Sequence, residues 1–345
     1  MSAADAIAVV VVTYQSAEEL AGLAPTLLPQ LREDDELTIV DNASSDGTAD
    51  AARTLCPSAR VIETGANLGF AGGTVVGVAQ TQAPLLLFLN PDCRPDPNCL
   101  ARLREAAAAH PGWGAWQALV LLEDGRVNTS GNVIHYLGIG WAGNCNRPLA
   151  ELPAGDRQVT GPSGAAMVVR RADWLAVGGM SPEFFMYSED LDLGLRLWLA
   201  GRGVGIASAA RVTHGYEFDK GPYKWFWMER NRWRMVLSVY PAPLLALVAP
   251  ALLAAELGLL VVAARQRWLR AKLRAQAAAI ADLPRTIVRR RSVQRTRAIG
   301  AAEFARHLTA SLDSPYLTAA HSPWLRIPQA LYWKLVRATL AALAR

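Results

Sequence analysis

The 345-residue sequence predicts an α/β protein with a mostly parallel sheet flanked by helices, followed by an apolar and basic helical extension. Three observations support this. From residue 7 to about 92, short apolar runs alternate with Ala- and Leu-rich stretches, the pattern of strands joined by crossover helices in a doubly wound sheet. From about 110 to 220, Gly and aromatic residues are enriched and the alternation loosens, so this half is expected to be mixed. From residue 221 onward the chain carries 20 basic and 5 acidic side chains, a net of +15, against 15 basic and 25 acidic before it, a net of −10.

Ile7 to Thr13 is expected to be a buried first strand, because the run has no basic flank and no small-residue cleavage site to make it a signal peptide. Leu37 to Val40, Val61-Ile62 and Leu85 to Leu89 continue the sheet. Functional loops in such sheets follow the carboxyl ends of strands, which selects Thr13-Tyr14, Asp41-Asn42, Asn67 to Gly73 and Asn90-Pro91-Asp92. No G-x-G-x-x-G follows the first strand and no G-x-x-x-x-G-K-[ST] occurs, which argues against a dinucleotide fingerprint and a P-loop. Further strands are expected at Gly114 to Leu122 and Ala165 to Arg170. A helix begins near Glu189, where Ser188 can cap it and Leu191, Leu195, Trp198 and Leu199 share one face.

Beyond 220, Trp225 to Arg234 is aromatic and basic together, and Pro241 to Ala264 is apolar apart from Glu256. That run is long enough to span a bilayer, but Pro241, Pro243 and Pro250 crowd its first half. A single pass from a cytosolic domain would also place Arg265, Arg267, Arg270, Lys272 and Arg274 outside, against the positive-inside rule. A re-entrant hairpin or an interfacial helix is expected instead. The basic, Trp-rich composition beside an apolar run suits a membrane surface, and no nucleic-acid motif accompanies it. The four cysteines, Cys56, Cys93, Cys99 and Cys145, lack CxxC spacing and a paired framework, which suits a reducing cytosol.

Asp92, held in an Asn-Pro-Asp turn after an apolar strand, is placed to bind a divalent cation, although such turns also occur without function. Asp41 ends a buried strand where it can accept hydrogen bonds from a base or ribose; helix capping accounts for Ser44 to Thr48 but not for Asp41-Asn42. In Phe184 to Asp192 an aromatic run enters three carboxylates, Glu189, Asp190 and Asp192. Acids in a first helical turn suit the macrodipole; alternatively, Asp190 or Glu189 is a general base. His214 is either structural or, beside an acid, a metal ligand.

Five ordered segments carry a resemblance: Val9 to Tyr14, Val40 to Thr48, Asn67 to Gly73, Leu89 to Asp92, and Tyr187 to Leu193. Together they resemble family 2 glycosyltransferases of the Rossmann-like GT-A fold, on the rhamnosyltransferase-like branch, over roughly residues 7 to 240. The resemblance implies a nucleoside diphosphate sugar donor (dTDP-, UDP- or GDP-linked), Mg²⁺ or Mn²⁺, and an inverting displacement. It implies Asp92 as metal ligand with His214 assisting, and Asp41 on base and ribose. Thr13, Tyr14, Asn42, Asn67, Gly69, Phe70 and Asn90 fall on the donor side. Gly164 and Ala165 fall on the acceptor-side turn. Asp190 falls on the base, with Glu189 and Asp192 positioning it or shaping the acceptor pocket. Asn90 replaces the first acid of the usual Asp-x-Asp, and Met180-Ser181-Pro182 replaces the usual Phe-Asp-Glu near the acceptor approach.

The expected organisation is a catalytic domain over 1–240, with a nucleotide-sugar half to about 110 and an acceptor half from about 111, then a membrane-associated region over 241–345. The acceptor expected is a glycan or polyprenyl-linked species at the cytoplasmic face of the cell membrane. The competing reading is a non-catalytic sugar-nucleotide or glycan-binding module on the same fold.

Overall fold

The computed structural model describes residues 5–215, 221, 223–313 and 323–344. It comprises two compact units, one of Met1–Asn132, Ala142–Leu197 and Arg202–Tyr216, the other of Val133–Trp141, Trp198–Gly201 and Glu217–Arg345.

The first unit begins with β1 (Ile7–Thr13), α1 (Ala17–Leu27), β2 (Glu36–Asp41), α2 (Thr48–Leu55), β3 (Arg60–Glu63), α3 (Gly69–Val78) and β4 (Leu85–Leu89). Then come β5 (Cys93–Pro95), α4 (Cys99–Ala109), β6 (Trp113–Leu121) and β7 (Val127–Thr129), and, after β8 (Asn132–Ile134) and β9 (Gly140–Ala142), which pair with each other and belong mostly to the second unit, β10 (Arg157–Gln158). It closes with β11 (Ala166–Arg170), α5 (Arg171–Val177), α6 (Glu189–Leu199) and β12 (Gly203–His214). The main sheet runs β10-β12-β6-β11-β4-β1-β2-β3, with β5 paired to β12 and β7 to β6.

The β3-β2-β1-β4 half is parallel throughout, and Thr13 lies opposite Asp41 at the carboxyl ends of their strands. β1 and β4 are buried at every position, which explains their continuous apolar runs: strands covered on both faces need no polar alternation. The other half is mixed, as its composition predicts: β11 runs antiparallel to both β4 and β6, while β12 is parallel to β6. A register shift between Ala207 and Arg211 lets β12 continue to β5, where His214 comes opposite Cys93. The core gathers Leu20, Leu23 and Leu27 of α1, Leu100 and Leu103 of α4, and Trp116 of β6, whose indole N–H is satisfied by the Leu103 carbonyl at 3.1 Å.

The second unit contains α7 (Tyr223–Val239), α8 (Ala242–Arg265), α9 (Leu269–Ala281), α10 (Leu283–Arg295), α11 (Ala301–Phe304) and α12 (Pro323–Leu343). α7 precedes position 240 in sequence yet packs on α9 and α10. Pro241 to Ala264 does not form a re-entrant hairpin. α8 is one continuous helix, because Pro241 and Pro243 sit at its start, where no N–H is required, leaving only Pro250 inside. The Tyr332 hydroxyl of α12 donates to the Leu247 carbonyl beside that proline.

The aromatic and basic run of α7 is largely turned inward. Arg232 pairs with Glu229 of its own helix and Glu256 of α8, and Lys272 of α9 pairs with the same two carboxylates. Arg234 pairs with Asp282, and the Trp225 and Trp268 rings stack with centroids 4.7 Å apart.

Candidate active site

The loops after β1 and β2 are bound together at the carboxyl edge of the parallel strands. Asp41 is 2% exposed, and its carboxylate accepts hydrogen bonds from the Thr13 hydroxyl at 3.2 Å and the Ser44 N–H at 3.0 Å. Buried Asn42 donates through its side-chain amide to the Gly69 carbonyl at 3.0 Å, while the Asn67 side chain accepts the Gly69 N–H at 2.9 Å. Tyr14, half exposed, stands at the rim.

Gly69 has φ +68°, and a side chain there would run into the Phe185 carbonyl. That carbonyl accepts the Ala71 N–H at 3.1 Å, so the start of α3 is fastened to the segment preceding α6. The segment is itself unusual: Phe185, Tyr187 and Ser188 have φ of 62°, 66° and 67°, a left-handed backbone that residues with a side chain seldom adopt. Ser188 therefore lacks the extended backbone of an ordinary N-cap. Its carbonyl nevertheless accepts the Asp192 N–H at 2.9 Å and opens the helix.

Asp190, in the first turn of α6, accepts the Leu191 N–H at 2.7 Å on one oxygen, and on the other the Gly164 N–H at 3.0 Å and, more weakly, the Asn132 amide at 3.5 Å. A carboxylate offers about four lone-pair positions, so these three contacts leave room for one further proton. Gly164 is where two predicted groups meet: a Cβ there would lie 3.1 Å from the Phe70 ring and 3.8 Å from the Asp190 Cβ. Burial raises the Asp190 pKa above its ordinary value, against the Gly164 and Leu191 N–H groups, which lower it. Glu189 is pushed up further, by burial first and then by the charges of Asp190 and Asp192, and its Oε2 has no hydrogen-bond partner among the described residues. Both neighbouring carboxyls are thus raised by burial, and Asp190 is the one held by N–H donors.

Ala165 continues from that turn toward the other acid, its carbonyl accepting the Asn90 N–H at 2.9 Å and the Cys93 thiol at 3.2 Å. Asp92 follows in the turn, and the β5–β12 pairing carries His214 Nε2 to 3.1 Å from Asp92 Oδ1. Asp92, Cys93 and His214 offer ligand atoms all within 4.8 Å of one another. Octahedral Mg²⁺ or Mn²⁺, with bonds of about 2.1 Å, separates adjacent ligands by about 3 Å, so the carboxylate and imidazole fit such an ion. Cys93 does not fit it: burial pushes its thiol well above the ordinary range, and it already donates to Ala165.

Asn67, Gly69, Phe70, Gly164, Ala165, Asn90, Asp92, Asp190 and His214 thus form one chain of contacts. Asp192 is placed apart from it, in a buried pair with Arg196 at 2.8 Å, and Arg196 also donates to the Val177 and Gly179 carbonyls at 2.7 and 2.6 Å. Sequence reasoning missed Asn132 and the Phe185 backbone. Neither belongs to a local pattern, and only the tertiary fold brings them to Asp190 and Gly69.

This fold also occurs in solved glycosyltransferases. The crystal structure of GalNAc-T7 with UDP, GalNAc and Mn²⁺ superposes with a TM-score of 0.55 at 13% identity, over 69% of this chain and 48% of that one. Staphylococcus aureus TarS 1–349 superposes at 0.50 and 14% identity, over 98% and 91%. The fold is that of the GT-A glycosyltransferases. The family model described as "Glycosyl transferase family 2" matches residues 8–171. The N-acetylglucosaminyl-diphospho-decaprenol L-rhamnosyltransferase of Mycobacterium tuberculosis is 32% identical over 237 residues, 61% of this chain and 76% of its own length. The chain belongs to glycosyl transferase family 2 and is rhamnosyltransferase-like.

Proposed function

We propose that this enzyme is an inverting glycosyltransferase that moves a deoxyhexose, rhamnose, from a nucleoside diphosphate sugar to a hydroxyl of a lipid-linked or cell-envelope glycan acceptor at the cytoplasmic face of the membrane. The carrying observation is the Asp190 carboxylate, oriented by two backbone N–H groups and joined through Gly164 and Ala165 to the Asp92–His214 pair. The activity for which the mycobacterial relative is named supports the sugar and the polyprenyl diphosphate acceptor. The donor half is assigned to about residues 1–110, the acceptor half to 111–240 and membrane attachment to 241–345.

In this reading Asp190 takes the proton from the acceptor hydroxyl as its oxygen attacks the anomeric carbon from the face opposite the diphosphate, whose bonding electrons leave with the phosphate oxygen. Asp92 and His214 would hold Mg²⁺ or Mn²⁺, which when bound supplies charge neutralisation for the diphosphate. Thr13, Tyr14, Asp41, Asn42, Asn67, Gly69, Phe70 and Asn90 line or brace the donor side. Asp192, through Arg196, steadies the Gly178-Gly179 turn on the acceptor side. Glu189, its carboxyl pushed up by burial, neighbours the base Asp190.

The test is transfer from dTDP-, UDP- and GDP-linked sugars to a polyprenyl-diphosphate-GlcNAc acceptor, with donor binding followed by thermal shift. Asp190→Asn should lose about 10³-fold in kcat and keep the donor shift. Full turnover in that variant would remove Asp190 from the reaction, and donor binding without transfer by the wild type would favour a binding module.

A further inference from the structure

We infer that the second unit rests in the plane of the membrane, with α8 lying on an anionic leaflet instead of crossing it, and with α8 and α12 supplying the apolar contact. This deepens the membrane-attachment reading above and rests on it.

Length does not decide the topology of α8: 24 residues rise about 36 Å, enough to cross a hydrocarbon core of about 30 Å. Charge does. Glu256 lies mid-helix on the buried face formed by Leu244, Val248 and Leu252, where it pairs with Arg232 of α7 and Lys272 of α9, both of which also bind Glu229. A crossing α8 would either tear Glu256 from these cations or carry four charged side chains to the bilayer centre, where charge is most costly. Lying in the interface keeps the network inside the protein.

The outer face of α8 is apolar: Leu253, Leu257 and Val261, spaced i, i+4, i+8, are 66%, 69% and 52% exposed. α12, which packs on α8, shows the same division. Trp333, Val336 and Leu340 are buried, while Trp324, Ile327, Leu331 and Leu335 form an exposed stripe, with Trp324 at 88%. Exposed Arg326, Lys334 and Arg337 flank that stripe, and exposed Arg265, Arg267, Arg270 and Arg274 follow the end of α8. Apolar anchors edged by cations are what a helix at an anionic lipid interface requires, the long cationic stems reaching back to the headgroups. A second copy of this equally basic surface would meet it with like charge, which is why a lipid leaflet is the chosen occupant.

Two measurements on the full chain test this. In the first, partition onto phosphatidylglycerol-containing vesicles is compared with pure phosphatidylcholine. The wild type should bind the anionic vesicles more tightly and lose the preference at high salt. Leu253→Ser with Leu257→Ser, and separately Leu331→Ser with Leu335→Ser, should each weaken binding about tenfold or more without lowering the melting temperature. No vesicle binding by the wild type overturns both the inference and the membrane reading. Unchanged partition in the Ser variants, with loss of self-association instead, assigns the stripes to a second copy and overturns the inference alone.

The second measurement reads topology. Ala242→Cys and Arg267→Cys, each on a Cys145→Ser background, report the two ends of α8 to a membrane-impermeant maleimide in bacterial cells expressing the chain. Both ends should label in inverted membrane vesicles and neither in intact spheroplasts. Labelling of one end from the outer side would make α8 a crossing helix and overturn the inference while leaving membrane attachment intact.

Discussion

Glu189 and Asp190 adjoin in sequence, yet Asp190 accepts the Gly164 and Leu191 N–H groups whereas Glu189 Oε2 has no hydrogen-bond partner among the described residues. Both folded-state pKa values are raised, Asp190 from an ordinary 3.8 and Glu189 well above 4.5. A base works only when ionised, so kcat/KM should rise with pH through the folded pKa of Asp190 and then level off, with its acid limb above pH 3.8. A pH–rate profile whose limb lies at or below that value would deny Asp190 its raised pKa. For stability the sign runs the other way. A raised carboxyl pKa contributes stability that is complete below the unfolded value and is lost as pH rises through the folded one, at up to about 1.4 kcal/mol per pH unit inside that window. Glu189→Gln keeps a neutral side chain at every pH. Its melting temperature should therefore decline less than that of the wild type as pH rises above about 4.5, and parallel curves would contradict a protonated Glu189.

Among the elements, the segment from Phe185 to Ser188 bears the strain, and α3 and α6 hold it in place. Three residues of positive φ within four positions, Phe185, Tyr187 and Ser188, lead the chain into α6, where Asp190 accepts the Gly164 N–H. Gly69→Ala should be the more damaging of the two site glycine changes, since it combines φ +68° with collision against the Phe185 backbone. Urea unfolding should show a loss of about 1–3 kcal/mol. Gly164→Ala asks only the Phe70 ring to yield by a few tenths of an ångström, and a loss there equal to that of Gly69→Ala would contradict the backbone argument. The arginine cluster of α10 is likewise an element-level device. Arg290 donates to the Leu237 and Tyr240 carbonyls and Gln294 to those of Ser238 and Val239, closing the carboxyl end of α7. Part of the basic charge that the sequence gathers after residue 220 is thus used inside the unit.

At the scale of the whole molecule, the opposite charges of the two parts have different destinations. In the first unit Asp41, Asp92 and Asp190 belong to the candidate site, while Asp35 and Asp192 are buried in pairs with Arg104 and Arg196. In the second, Glu229 and Glu256 neutralise Arg232 and Lys272, Asp282 pairs with buried Arg234, and Arg265, Arg267, Arg270 and Arg274 stay at the surface. Glu256→Gln leaves a buried cation pair under-neutralised and should cost about 3–5 kcal/mol in chemical denaturation. A change within a few tenths of a kcal/mol would mean that the network contributes nothing to holding α7, α8 and α9 together. The apolar character of the chain is likewise divided: β1 and β4 are apolar and buried at every position, whereas α8 is apolar on its covered face and on its exposed face alike.

Much of the fold was legible in the sequence, because strands and helices announce themselves through local periodicity: Ile7–Thr13, Leu85–Leu89 and the start of α6 at Glu189 all fall where the pattern places them. The residues Asn67, Phe70, Gly164, Asp92, Asp190 and His214 were legible as separate motifs. Their assembly was not, since it depends on register: the β5–β12 pairing brings His214 to Asp92, and the antiparallel β11 brings Gly164 and Ala165 to Asp190 and Asn90. Asp192 shows the limit most sharply. Sequence groups it with Glu189 and Asp190 as one acidic turn, but helical geometry points positions i and i+2 to different faces, and the fold supplies Arg196 one turn on. Sequence determined which chemistry this chain carries, through residue types and local spacing. Tertiary structure alone decided which acids share a site and which are consumed as structure, because burial and hydrogen-bond partners come from segments distant along the chain.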